Sequence, residues 1–76
     1  MNHSHWCLSI TVPVLNEQDS LTPFIEQVKP LLETAAQHFE ILFIDDGSTD
    51  ATLTQLKALN RQDARIRYVS FSRNFG

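Results

Sequence analysis

The 76-residue sequence has one cysteine, no cluster of lysine or arginine, and no apolar run near the length of about 20 residues that crosses a bilayer. Each absence removes a class of protein. Cys7 cannot form an internal disulfide, which fits a reducing compartment, and beside Leu8 it reads as a small core hydrophobe in a strand. The net charge of -3, with its cations scattered, argues against a nucleic acid held through its phosphates. The N-terminus has no basic region followed by an apolar stretch, so it does not read as a secretory signal. His3 and His5 are two ligands on a free end, too few for a metal site, and residues 1–6 read as a flexible tail with Trp6 at its base.

Several loop chemistries are missing as well. There is no Gly-x-Gly-x-x-Gly and no Walker A loop. A haloacid-dehalogenase phosphatase would need an aspartate where Ile44 stands, and an EF-hand would need its glycine later than Gly47. The histidines lie in the tail and at His38, so no Ser/His/Asp set is credible. No internal repeat or low-complexity stretch is present.

What the sequence does contain is an alternation of strand and helix signals. Residues 7–14 read as a first strand, with Ile10 and Val12 β-branched. Leu21, Phe24, Ile25, Val28, Leu31, Leu32, Ala35 and Ala36 recur at spacings of three and four, the stripe of an amphipathic helix. Asp19 or Ser20 should cap it, and Pro30 should kink or break it. Residues 40–45 form a second strand, residues 50–60 a second helix capped by Ser48 or Thr49, and residues 66–71 a third strand of edge character. The class is therefore α/β, in the order β-α-β-α-β. Right-handed crossovers give parallel strands in the order 3-2-1. That order leaves the first strand at an edge with nothing to cover it, although its sequence suits a central strand. The chain thus reads as the first half of a larger, three-layer doubly wound domain, and in isolation it should self-associate through that edge.

Ile41-Leu42-Phe43-Ile44 runs directly into Asp45-Asp46-Gly47-Ser48-Thr49-Asp50. This reads as a buried strand ending in an acidic turn that opens a helix. In open α/β sheets ligands bind beyond the carboxyl ends of the strands. Loops at residues 13–19, 45–49 and 72–76 emerge on that rim, bringing Glu17, Asp45, Asp46 and Arg73 toward one crevice. Asp46, Ser48 and Asp50 can be read as turn and cap residues alone. Two adjacent carboxylates are more than one cap requires. As acceptors they suit a ligand rich in N–H and O–H donors, such as a nucleobase with its ribose.

The segments Ile10-Thr11-Val12-Pro13-Val14-Leu15-Asn16-Glu17, Phe43-Ile44-Asp45-Asp46-Gly47-Ser48-Thr49-Asp50-Ala51-Thr52 and Val69-Ser70-Phe71-Ser72-Arg73-Asn74-Phe75-Gly76 together resemble the family 2 glycosyltransferases of GT-A fold. The third segment resembles their polyprenyl-phosphate branch, which includes bactoprenol glucosyltransferases and dolichol-phosphate mannosyltransferases. The resemblance implies a Rossmann-like GT-A domain, of which residues 7–76 are the N-terminal, nucleotide-binding half. It implies that Pro13, Leu15 and Glu17 line the nucleoside side, that Ile44 packs near the base, that Asp46 accepts a hydrogen bond from it, and that Arg73 approaches the phosphates. Asp45 is expected to support the turn.

The same resemblance implies a donor that is a UDP- or GDP-sugar and an acceptor that is an undecaprenyl or dolichyl phosphate. The whole enzyme would lie at the cytoplasmic face of the inner membrane. The family's metal-binding Asp-x-Asp follows the next strand, so Mg2+ or Mn2+ is expected for the whole enzyme and none for the residues present. No catalytic residue is assigned, and this piece alone is expected to be inactive. A second reading makes it a stand-alone nucleotide-binding or assembly module.

Overall fold

The computed structural model describes residues 7–71. The elements are β1 (Leu8–Val14), α1 (Leu21–Ala35), β2 (Phe39–Asp45), α2 (Thr52–Gln62) and β3 (Ile66–Ser70). The three strands are parallel and β2 is central, which is the expected 3-2-1 order. The register pairs Pro13 with Ile44, and Ile44 in turn with Val69.

Strand alternation decides which residues make the core. Val14, Phe39, Ile41, Phe43 and Ile66 point to one face and are buried there with Leu21, Ile25 and Leu32 of α1 and Leu56 of α2. Leu8, Ile10, Val12, Val28, Leu59 and Tyr68 pack around them. Full burial of a side chain such as Ile41 or Phe43 stabilises the fold by about 2 kcal/mol. Phe24 meets Phe43 edge to face at 6.2 Å, which seats the start of α1 over β2.

Both helices therefore cover the same face of the sheet. The opposite face carries Ser9, Thr11, Pro13, Glu40, Leu42, Ile44, Arg67 and Val69, all exposed or half-buried. Among the described residues there are two layers, and a third layer over this face is not among them. This is why β2, read as a strand buried throughout, alternates instead between buried and half-buried positions. No helix among the described residues is long and apolar enough to cross a membrane.

Local expectations fare unevenly. α1 runs through Pro30 without a break, and Thr34 donates its hydroxyl hydrogen to the Pro30 carbonyl at 3.0 Å. Its apolar stripe is wider than its buried seam, so Phe24 and Leu31 are exposed. Neither helix has a side-chain cap at its first position. Ser20 instead donates to Glu17, and α2 begins two residues later than expected, after Ala51. Cys7 precedes β1 and is exposed, because the alternation that buries Val14 turns position 7 to solvent. The tail of residues 1–6, and Arg73 with residues 72–76, lie outside the described residues.

Candidate functional site

At the carboxyl end of β2 the two adjacent aspartates separate at once. Strand alternation turns Asp45 into the helix-covered face, where it is 1% exposed. Its Oδ1 accepts the Ser48 amide at 3.0 Å and the Ser48 hydroxyl. Asp45 thus closes the acidic turn from below, while its Oδ2 is buried without a hydrogen-bond partner among the described residues. Asp46 turns outward and is exposed. Its amide donates to the Val14 carbonyl at 3.2 Å, which holds its backbone against the end of β1. Gly47 follows with φ 89°, a left-handed geometry that costs glycine nothing sterically.

The loop after β1 is bonded to this turn residue by residue. Asn16 has φ 54°, a conformation that asparagine tolerates better than most side chains. Its amide donates to Ser48 Oγ at 2.9 Å. Its Oδ1 accepts the amides of Thr49 at 2.9 Å and Asp50 at 3.3 Å, with the Thr49 hydroxyl at 3.4 Å. The Glu17 amide donates to Thr52 Oγ1 at 2.8 Å, and the Gln18 amide to Asp50 Oδ2 at 3.3 Å. In return Gln18 Oε1 accepts the Ala51 amide at 2.9 Å, and Gln55 Nε2 donates to the Gln18 carbonyl. Asp50 also accepts both the amide and the hydroxyl of Thr52, and that hydroxyl bond is the main reason its carboxyl lies below the ordinary value. Asn16, Gln18 and Thr52 were not singled out in the sequence. The one available signal was an asparagine two residues past the end of a strand, a residue type that accepts left-handed backbone.

Of the residues expected to line a pocket, five are described. Pro13 and Ile44 are paired neighbours on the open face of the sheet, in line with Val69. Leu15 is 51% exposed on the rim, an apolar side chain held out by its loop. Glu17 is exposed and accepts the Ser20 hydroxyl at 2.9 Å. Asp46 stands on the facing turn. The rim therefore carries two exposed carboxylates and Leu15 on two loops locked to each other, above Pro13 and Ile44 near the ends of β1 and β2. Beside it a cavity of about 200 Å³ lies between the β1 edge and the start of α1, lined by Pro13, Val14, Glu17, Leu21 and Phe24 among others.

A larger groove of about 460 Å³ runs between α1 and α2 toward the other rim. Three of its charged side chains, Lys29, Glu33 and Asp63, are tied into one ion-pair network. Asp63 pairs with Lys29 at 2.8 Å and Arg65 at 2.9 Å, and Arg65 reaches Glu33 at 3.3 Å while stacking 4.4 Å above the Phe39 ring. The Arg65 guanidinium, helped by Lys29, holds the Asp63 carboxyl well below the usual carboxylate range. We read this groove as structural and the acidic rim as the functional candidate. Among the described residues no group of three or more His, Cys, Asp or Glu side chains is arranged to hold a metal ion. Asp45 and Asp50 are engaged in the turn through Ser48 and Thr52.

Residues 9–76 match the family described as Glycosyl transferase family 2. The chain is 40% identical over 70 residues to the dodecaprenyl-phosphate galacturonate synthase of Rhizobium johnstonii, covering 91% of this chain and 21% of the relative. It is 41% identical over 69 residues to a prophage bactoprenol glucosyl transferase homolog of Escherichia coli, and equally so to the bactoprenol glucosyl transferase of Shigella phage SfV. In both cases 91% of this chain and 22% of the relative are covered. The chain thus spans about a fifth of the length of the curated relatives it matches.

Proposed function

The chain belongs to glycosyl transferase family 2, and from that premise we propose that it forms the donor-nucleotide wall of an enzyme that moves a sugar from a UDP- or GDP-sugar to a polyprenyl phosphate. The relatives named as dodecaprenyl-phosphate and bactoprenol transferases support that acceptor class. The observation that carries the reading is the locked rim, which presents Leu15, Glu17 and Asp46 together beyond the carboxyl ends of parallel strands.

The division of labour follows from residue chemistry. Asp46, which when ionised accepts and cannot donate, takes an N–H of the base. Pro13, Leu15 and Ile44 give the base and ribose apolar surface, and Glu17 accepts a ribose hydroxyl. Arg73 is assigned to the diphosphate on charge alone. Mg2+ or Mn2+ would neutralise the leaving diphosphate, held by side chains other than those of residues 7–71. Such a transferase would work at the cytoplasmic face of the membrane that holds its lipid acceptor.

The test is transfer by the full-length protein in membranes supplied with polyprenyl phosphate and radiolabelled UDP- and GDP-sugars. The expected product is a lipid-extractable labelled sugar that depends on the polyprenyl phosphate. Label that never enters the lipid phase with any donor contradicts the proposal.

A further inference from the structure

The bonds between the two rim loops centre on Asn16 and Gln18, with one more from Glu17, and Asn16 makes the most of them. Asn16 alone contacts Ser48, Thr49 and Asp50, which lie 32 to 34 positions away in the chain. It does so from left-handed backbone, with φ 54°. Its amide meets the Ser48 hydroxyl, and that hydroxyl donates onward to the buried Asp45 carboxylate. The relay therefore runs from the β1 loop through Ser48 to the floor of the sheet. All donors to the side chain converge on Oδ1. An aspartate at this position could accept the same bonds, whereas glycine would keep the backbone geometry and lose all of them.

We infer that Asn16 is a positioning residue, a latch that sets the spacing between the Pro13–Leu15–Glu17 wall and the Ile44–Asp46 wall and so fixes the width of the nucleotide pocket. The inference rests on the reading of the rim as a nucleotide pocket. Asn16 need not touch the ligand. Without the latch each loop keeps its own turn, Asp45 with Ser48 on one side and Glu17 with Ser20 on the other. What is weakened is their common frame, which the Glu17–Thr52 bond and the Gln18 bonds to Asp50, Ala51 and Gln55 then hold at one end only. Binding that needs both walls then requires ordering two loops at the moment of association, which lowers affinity.

The experiment titrates uridine and guanosine diphosphates into the full-length protein by calorimetry, in about 0.15 M salt so that an added surface charge is screened. The variants are Asn16→Gly, Asn16→Asp, Ser48→Ala and Asn60→Ala. The last removes a 2.7 Å bond from Asn60 Nδ2 to the Ile66 carbonyl, away from the rim, and controls for general loss of stability. For whichever nucleotide the wild type takes, Asn16→Gly should weaken binding about tenfold, a few hydrogen bonds' worth. Ser48→Ala, which breaks the relay from the other loop and serves if Asn16→Gly does not fold, should weaken it in the same direction. Asn16→Asp should stay within about threefold of wild type, and Asn60→Ala should bind as wild type does.

Undiminished binding by Asn16→Gly or Ser48→Ala overturns the latch and leaves the pocket standing. So does an equal loss in Asn60→Ala, or failure of Asn16→Asp to recover affinity. A wild type that binds neither nucleotide overturns the pocket and the latch with it.

Discussion

Two neighbouring carboxylates take opposite roles because a strand alternates. Asp45 is carried inward to close the turn and Asp46 outward onto the rim. The motif was legible in the sequence, and the supporting role of Asp45 followed from the family resemblance. The latch was not. Asn16 bonds to residues more than thirty positions away, and no local pattern encodes a contact of that range. Local rules placed Ser20 correctly at the start of α1 but not its bond, which goes to Glu17, and they misplaced the start of α2, because Ser48 and Thr49 bond to the partner loop and the turn. At this scale the account predicts that Asp45→Ala lowers unfolding free energy by about 2 kcal/mol, through loss of two hydrogen bonds at a buried turn. Chemical denaturation measures it, and an unchanged midpoint would contradict it.

At the scale of elements, periodicity placed all three strands and both helices, because each buries a regular face. It overstated α1, whose stripe is broader than the sheet it meets. A three-stranded sheet has no room under Leu31, which is 67% exposed. The ends of the elements are held by charge as well as by packing. Asp63, just past α2, joins Lys29 of α1 to Arg65 before β3. Its carboxyl is lowered, chiefly by Arg65, so its contribution is whole above about pH 4 and fades as the pH falls toward the lowered value. Thermal unfolding should therefore lose stability on acidification below that point, and Asp63→Asn should flatten this slope. Equal slopes in both proteins would contradict the assignment. The free edge of β1 makes a separate prediction. In the described residues it pairs only with β2, and its edge carries no lysine. Residues 1–76 alone should self-associate at tens of micromolar in sedimentation, whereas a stable monomer would show that the edge is protected.

At the scale of the molecule, the described residues cover one face of the sheet and not the other. Pro13, Ile44 and Val69 form an apolar row at the rim end of the open face, and Ser9, Glu40 and Arg67 a polar group at the other end. Membership of glycosyl transferase family 2 accounts for this asymmetry in one way. On the proposed reading the rim is one wall of a site, and the relatives are about five times as long as the stretch they share with this chain. The parallel order and the acidic rim were open to sequence reading because they follow from strand periodicity and the carboxyl-end rule. The bare face was not, because β2 reads the same whether one face or two are covered.

The central claim is that the rim binds the nucleotide of the sugar donor through Asp46. Titration of uridine and guanosine diphosphates into the full-length protein and its Asp46→Ala variant tests it most directly. The wild type should bind at least one nucleotide, and the variant should bind it about tenfold or more weakly. A wild type that binds neither, or a variant that binds as tightly as wild type, would contradict it.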